Sequence, residues 1–266
     1  MVAVKKIGKF EAEIIAVGRE ILTGKTLNTN SQWLSRKITA LGGVVRRHTS
    51  VDDRVQDIAQ AVEESLSRGV DLIVLTGGLG PTFDDVTREG LAKAFKRKLK
   101  QDDSAVQMIT KRYSQLKGLK EEEVRLTRLQ RRMAEIPNGS KPLMNPVGVA
   151  PAIVDERGGT LTVAVPGVPK EVKGIFTAYL EPLIRQRVGG FQLYELSLLI
   201  AGVSESIMAP MVEEAMKKYT SIYVKSHPMG ASLIKLDFTC GGIDAKEAGD
   251  HVLNAASLVL RKIVKV

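Results

Sequence analysis

Acidic and amide side chains follow three apolar segments in the first third of the chain. The loops after these segments read GREILTGKTLNTNS, TSVDDR and TGGLGPTFDD. They carry Glu20, Asn28 and Asn30 in the first loop, Asp52 and Asp53 in the second, and Asp84 and Asp85 in the third. Carboxylate and amide oxygens are hard ligands for a divalent cation. A cation that bridges aspartates to a phosphate would also activate a water molecule for attack on phosphorus.

The third loop combines glycines with hydroxyl side chains. Gly77, Gly78 and Gly80 precede a predicted helix, and bare backbone N–H groups at a helix N-terminus form a phosphate cradle. Thr76 and Thr82 would add hydroxyl donors. The loop matches neither the P-loop nor the dinucleotide fingerprint. The alternative is a tight turn in which Asp84 or Asp85 only caps the helix.

The segments that position these loops are predicted to be strands and helices in alternation. Strands are predicted at 12–18, 44–51 and 70–76, the first and last of them mainly apolar, and helices at 30–43, 55–69 and from 86. This β-α-β-α-β-α order predicts a parallel sheet with helices on both faces, a three-layer α/β/α sandwich. Ligands bind outside the carboxyl ends of such strands, where all three loops lie.

The rest of the chain completes this first domain and then predicts a second, smaller one. Helices are predicted at 104–116, at about 121–134 and from about 170. A loop at 136–151 and a hairpin around "RGG" lie between the last two helices. We place a domain boundary at the Gly189-Gly190 pair, giving domains 1–188 and 189–266. The tail is predicted to be a small α+β domain with strands 191–201, 221–226 and 231–240 and helices 204–218 and 243–263.

Composition limits the classes of protein that the chain can represent. Apolar residues make up 44% and charged residues 26%, and no apolar run approaches the roughly 20 residues of a membrane span. One cysteine excludes an internal disulfide, so we expect a cytoplasmic protein without a membrane partner. The net charge of +9 suits nucleic acid, a small phosphorylated ligand or a solvated surface.

Four motifs carry a family resemblance. "TGGLGPTFDDVTRE", "EILTGKTLNTNSQWL", "NPVGVAP" and "PGVPKEVK" span about residues 11–182. Together they resemble the MoaB/Mog-like molybdopterin-binding domain at the N-terminus of the CinA competence/damage-inducible family. The tail resembles the KH-like domain that follows in that family. No residues remain for the family's C-terminal deamidase domain, so we do not expect that activity.

The resemblance implies a small nucleotide or pterin phosphate as ligand. It implies that a divalent metal (Mg, Mn or Co) supports hydrolysis of the pyrophosphate of an ADP-ribose- or FAD-like dinucleotide. Alternatives are a molybdopterin adenylyltransferase and a molybdopterin-binding protein without hydrolase activity. The family's two catalytic acids match Asp52 and Asp85, and we assign metal binding to Asp52, Asp84 and Asp85. A homodimer is expected because relatives are oligomeric.

We predict substrate contacts in the three loops described above and in the motifs NPVGVAP and PGVPKEVK. The set is Glu20, Asn30, Thr76, Gly77, Gly78, Gly80, Thr82, Asn145, Gly148, Pro166, Gly167 and Glu171. One position departs from the family, which typically reads Gly-Asp-Glu where this chain has Gly18-Arg19-Glu20. An acid is thereby replaced by a cation, which could contact phosphate directly. The tail lacks the G-x-x-G loop of RNA-binding KH domains, so nucleic acid is not an expected partner.

Overall fold

The computed structural model describes residues 10–230, 233–242 and 244–264. The chain divides into two compact units. Among the described residues, the larger comprises 10–39 and 43–187, and the smaller comprises 40–42 and the residues from 188 to 264. The division into domains 1–188 and 189–266 stays a prediction.

The larger unit contains eight strands and eight α-helices among the described residues. The strands are β1 Glu11–Val17, β2 Val44–Val51, β3 Leu72–Thr76, β4 Leu99–Gln101, β5 Glu135–Pro137, β6 Lys141–Leu143, β7 Ala152–Arg157 and β8 Thr160–Val165. The helices are α1 Arg19–Leu22, α2 Thr29–Ala40, α3 Val55–Ser67, α4 Thr87–Ala94, α5 Asp103–Lys117, α6 Arg128–Arg132, α7 Pro169–Ile175 and α8 Glu181–Val188. A π-helical turn, Phe176–Leu180, joins the last two helices.

Six of these strands form one sheet in the order β2-β1-β3-β8-β7-β6. The first three strands along the chain are parallel neighbours, as predicted, and β8 continues the parallel pairing beside β3. The predicted hairpin is confirmed as the antiparallel pair β7–β8. The carboxyl ends of β1, β3 and β8 therefore lie side by side at one edge.

Alternating side chains of β1 and β3 bury opposite faces of the sheet. Ile15 and Ile73 share one core cluster with Ile58 of α3, Leu91 of α4 and Ile109 of α5. On helix α2, Trp33 meets Phe176 edge to face with ring centroids 5.2 Å apart, which packs α2 against the α7–α8 segment. The arrangement confirms the predicted α/β/α layering.

One predicted helix, about 121–134, is wrong. Its residues form a 3-10 turn at Glu121–Glu123 and the short helix α6. Val124 and Thr127 are extended in backbone between them, at ψ 121° and 166°. Thr127 accepts a hydrogen bond from the N–H of Gln130, and Gln130 reciprocates, so this capping box starts a new helix instead of continuing an old one.

The smaller unit is an α+β fold. Its elements are β9 Gln192–Ala201, α9 Glu205–Lys218, β10 Ile222–Pro228, β11 Leu233–Gly242 and α10 Ala245–Ile263. The strands form an antiparallel sheet in the order β10-β11-β9, whose Leu236 and Phe238 pack with Met208 and Val252 of the two helices. Residues 231, 232 and 243 of the predicted elements lie outside the described residues. Among the described helices, none is long and apolar enough to cross a membrane.

Candidate functional site

A cleft of about 760 Å³ opens at the carboxyl ends of the parallel strands. Its walls come from the loops after β1, β2, β3 and β8 and from the loop that precedes β7. The predicted site residues that line it are Glu20, Asn30, Thr76, Gly77, Gly78, Gly80, Asp84, Asp85, Gly148, Pro166, Gly167 and Glu171. Asp52, Thr82 and Asn145 are outside its lining.

The glycines after β3 are required by the chain's own packing. At Gly77, with φ +112°, a Cβ atom would lie 2.3 Å from the carbonyl oxygen of Val17. At Gly78, with φ +66°, a Cβ would lie 2.3 Å from the hydroxyl of Thr87. At Gly80 it would meet the carboxylate of Asp85 at 2.5 Å. The crowding that the glycines relieve therefore comes from within the loop and from β1, before any ligand is considered.

Four consecutive carbonyl groups of this loop are bound from one side. Thr87 donates its hydroxyl to the Gly77 carbonyl at 2.8 Å and its N–H to the Gly78 carbonyl at 3.1 Å. Arg88 donates to the carbonyls of Leu79 and Gly80 at 2.6 and 2.9 Å. Since the N–H of a trans peptide points opposite to its C=O, the N–H groups of Gly78, Leu79 and Gly80 are turned away from Thr87 and Arg88.

These three N–H groups are not used by hydrogen bonds within the described part of the chain. The Gly77 N–H is already used, since it donates to the carbonyl of Val165 at 3.0 Å. Within the described part of the chain, the N–H groups of Gly78, Leu79 and Gly80 have no acceptor, and all three residues line the cleft. Successive N–H groups directed to one side form an anion-binding concavity.

Several carboxylates line the cleft beside this loop. Burial raises the pKa of Asp53, and the nearby charges of Glu20, Asp52 and Asp84 raise it further, while a hydrogen bond from the Arg19 N–H at 2.8 Å opposes them. A hydrogen bond from the Thr82 hydroxyl lowers the pKa of Asp84. The site therefore places negative side chains next to bare backbone donors.

Asp85 and Thr82 close the turn between β3 and α4. The carboxylate of Asp85 accepts a hydrogen bond from the N–H of Thr82 at 2.9 Å and shares the single hydroxyl hydrogen of Thr82 with Asp84. Arg132 binds the Thr82 carbonyl at 2.9 Å and forms an ion pair with Glu89 at 2.7 Å. Thr82 thus shapes the loop from outside the lining of the cleft.

Arg19 is bound to Asp52. Its guanidinium donates to both carboxylate oxygens, at 2.9 and 2.8 Å. These hydrogen bonds hold the pKa of Asp52 below its ordinary value. Neither side chain lines the cleft, so the acid of this loop that faces the cleft is Asp53.

The opposite wall is organised by Asn145, which is 1% exposed. Its amide nitrogen donates to the Glu171 carboxylate at 2.6 Å and to the Ala150 carbonyl at 3.0 Å. Its amide oxygen accepts from the N–H groups of Val147 and Gly148. A Cβ on Gly148 would lie 2.2 Å from the carboxyl group of Glu171. Asn145, which does not itself line the cleft, therefore holds the carboxylate of Glu171 in position there through this hydrogen bond.

Asn30 links two loops at the centre of the edge. Its amide nitrogen donates to the Thr76 hydroxyl at 3.0 Å and to the Gly167 carbonyl at 2.8 Å. The Thr76 hydroxyl in turn donates to the Pro166 carbonyl at 3.3 Å. These bonds tie the loops after β1, β3 and β8 together.

Four residues at or near the site were not predicted from the sequence. Asp53 was not expected to contact substrate or metal, and no role was expected for Thr87, Arg88 or Arg132. Asp53 was visible as a loop acid, but its neighbour Asp52 matched the family's motif. Thr87 and Arg88 follow the paired aspartates directly, and their spacing resembles an ordinary first helical turn. Only the fold shows that both bind the glycine loop.

Comparisons with known proteins place this chain in a family. A family model described as "Probable molybdopterin binding domain" matches residues 13–186, more than half of the chain. The chain belongs to this molybdopterin-binding domain family. Residues 13–186 include every loop that lines the cleft.

The chain is also similar to individual proteins over most of its length. The chain is 40% identical to a protein of Aeropyrum pernix over 257 residues, covering 95% of this chain and 93% of the relative. It is 41% identical to a protein of Sulfurisphaera tokodaii over 239 residues, covering 89% and 88%. It is also similar to the crystal structure of the protein CinA, of unknown function, from Thermoplasma acidophilum. That match has 40% identity and a TM-score of 0.59, and covers 65% of this chain and 98% of the other.

Proposed function

We propose that the cleft binds the phosphate group of a pterin or nucleotide on the N–H groups of Gly78, Leu79 and Gly80. The observation that carries the proposal is the set of four carbonyls bound by Thr87 and Arg88, which leaves these donors turned to the other side. Membership of the molybdopterin-binding domain family supports a pterin phosphate as one member of the ligand class.

The acids fit a divalent cation that arrives with the substrate better than a resident metal. Among the described residues, no three Asp, Glu, His or Cys side chains are grouped to hold one ion. Mg²⁺ is commonly bound by one or two carboxylates, water and substrate phosphates. Asp84 and Asp85 lie in the lining beside the cradle and would supply such carboxylates, whereas Asp52 is engaged by Arg19. When bound, the cation would neutralise phosphate charge and lower the pKa of a coordinated water.

We further propose that the bound ligand is a dinucleotide of the ADP-ribose type, whose pyrophosphate bond is hydrolysed. The N–H cradle would stabilise charge that develops on the phosphate oxygens. The carboxylates of Glu20 and Asp53 line the same cleft, and the raised pKa of Asp53 suits a group that exchanges a proton with water. The alternative that the family membership favours is binding or adenylylation of molybdopterin.

The reactions are separated by incubating the purified protein with Mg²⁺, Mn²⁺ or Co²⁺ and one organic substrate. Hydrolysis of ADP-ribose yields AMP and ribose 5-phosphate without a second substrate. Adenylylation consumes ATP only when molybdopterin is present, and a pure binding protein does neither. Absence of AMP with every metal would overturn the hydrolase proposal and leave the other two.

The variant Asp85→Asn tests the role of the paired aspartates. It removes a charge while keeping an oxygen that can accept the Thr82 hydrogen bonds, so we expect turnover to fall about a hundredfold or more. Asp102→Asn is a matched control, because Asp102 accepts the N–H of Ala105 at 2.9 Å outside the cleft. A folded Asp85→Asn protein with full metal-dependent turnover would show that Asp85 is only a turn-forming residue.

We also propose that the protein is a homodimer, because relatives are oligomeric. Static light scattering measures the mass directly. A mass near 29.0 kDa at micromolar concentration, the mass of one chain, would contradict the proposal.

A further inference from the structure

Arg88 is the largest fully buried side chain among the described residues, with an exposed fraction of 1%. Its hydrogen-bond acceptors are three backbone carbonyls, those of Leu79, Gly80 and Asp85, at 2.6, 2.9 and 3.2 Å. In the described part of the chain no carboxylate forms an ion pair with it, and its Nε atom has no partner. A buried guanidinium without a carboxylate is uncommon, because desolvation of a charge is costly unless it is paired.

The charges of Glu89, Asp85 and Glu135 act favourably on Arg88 and that of Arg132 opposes it, but none of these acids forms an ion pair with Arg88 in the described part of the chain. Glu89, the adjacent residue, is instead paired with Arg132 at 2.7 Å, and the Asp85 carboxylate accepts a hydrogen bond from the N–H of Thr82. Burial lowers the pKa of Arg88, yet a guanidinium remains protonated at neutral pH. A positive charge therefore stays directly behind the loop that bears the three N–H groups.

Neutral donors would satisfy the same carbonyls at a smaller desolvation cost. The chain already uses one such donor in the same loop, the Thr87 hydroxyl on the Gly77 carbonyl. The charge of Arg88 therefore needs a reason beyond hydrogen bonding to the backbone. An anion on the far side of the loop supplies that reason, because it would balance the buried charge across one peptide layer.

We propose that Arg88 is a positioning residue that both directs the N–H groups of the loop and supplies the charge that attracts a phosphate to them. The inference rests on the proposed phosphate site and says which residue gives that site its affinity for the anion. It also predicts a charge preference: a diphosphate should gain more from Arg88 than a monophosphate does.

The test compares binding of inorganic pyrophosphate and inorganic phosphate to four proteins by calorimetry. Arg88→Gln removes the charge and keeps an N–H donor. Arg88→Lys keeps the charge and loses the planar set of N–H donors of the guanidinium. Arg132→Gln is the matched control, since Arg132 also binds this loop but its charge is paired with Glu89. We expect Arg88→Gln to weaken pyrophosphate binding at least tenfold and phosphate binding less, and the other two variants to weaken each about threefold or less.

The outcomes distinguish the two proposals. Wild-type affinity in a folded Arg88→Gln protein, or equal losses for both anions, would overturn the role of Arg88 and leave the phosphate site. No binding of either anion to the wild-type protein would overturn both. If Arg88→Gln does not fold, Arg88→Lys tests the charge alone, because it keeps the charge: a tenfold loss of pyrophosphate affinity in a natively folded Lys variant would overturn the charge as the source of affinity. Emission of Trp33, the single tryptophan of the chain, reports that fold.

Discussion

At the scale of single residues, Arg19 shows how one cation changes the chemistry of neighbouring acids. Its guanidinium binds both oxygens of Asp52. The adjacent Asp53 remains in the cleft with a raised pKa caused first by burial. The pair of aspartates is thereby divided into one carboxylate stabilised as an anion and one that holds its proton more strongly.

Arg19→Gln should raise the pKa of Asp52 towards the ordinary aspartate value of about 3.9, because its strongest stabilising hydrogen bonds are lost. A pH titration of the Asp52 carboxyl ¹³C shift measures this. Arg54→Gln is the control, since Arg54 acts on Asp52 only through its charge, the weakest of the causes. An unchanged titration in the Arg19 variant would show that the guanidinium is not bound to Asp52 in solution.

At the scale of elements, the connection from β3 to α4 combines backbone strain with close packing. Gly78 and Gly69 have the same φ, +66°, but only Gly78 has a neighbour where a Cβ would stand, the Thr87 hydroxyl at 2.3 Å. The two glycines therefore separate the cost of the left-handed backbone from the cost of crowding.

Gly69→Ala should lower the free energy of unfolding by about 1–2 kcal/mol, the cost of a left-handed backbone for alanine. Gly78→Ala should lower it by about 1–3 kcal/mol more, because Thr87 must give up its place on the Gly77 carbonyl. Chemical denaturation of the two variants measures the difference. Only Gly78→Ala should also weaken pyrophosphate binding, and equal effects of both variants on stability and binding would contradict this account.

The same element shows what sequence can and cannot predict. The apolar pattern of the sequence was sufficient for the parallel neighbours β1 and β3 and for the edge where their loops meet, because burial on both faces leaves a near-continuous apolar run. It failed at about 121–134, where capping by Thr127 interrupts a helical pattern. It also could not show that Arg88 is buried, because an arginine in a first helical turn is ordinarily exposed.

At the scale of the whole molecule, the larger unit buries an ion pair outside the lining of the cleft. The side chain of Glu13 in β1 is 2% exposed, and Arg68 binds its two oxygens at 2.7 Å each while Ser65 donates to one of them at 2.6 Å. Burial by itself raises the pKa of Glu13, but the hydrogen bonds from Arg68 and Ser65 outweigh it and hold the pKa below the ordinary value. The ionised form of Glu13 therefore stabilises the folded state.

The sign of the pH dependence follows from this lowered pKa. In the unfolded chain a glutamate titrates near pH 4.3, so the stabilisation is fully present above that pH. It is lost as the pH falls through the lower, folded-state pKa of Glu13, because the folded protein must then take up a proton against the Arg68 interaction. Glu13→Gln should consequently be less stable than the wild-type protein at neutral pH, by about 1–3 kcal/mol, and the difference should shrink in acid.

Urea unfolding followed by Trp33 emission measures this difference between pH 7 and pH 3, because Trp33 lies on α2 of the same unit. The two proteins share every other acid, so subtracting their free energies of unfolding isolates Glu13. Glu181→Gln is the control: its ion pair with Arg185 is exposed, and such pairs contribute about 0–1 kcal/mol. A Glu13→Gln deficit that stays constant across the pH range would mean that Glu13 stabilises the sheet by packing alone and not by its charge.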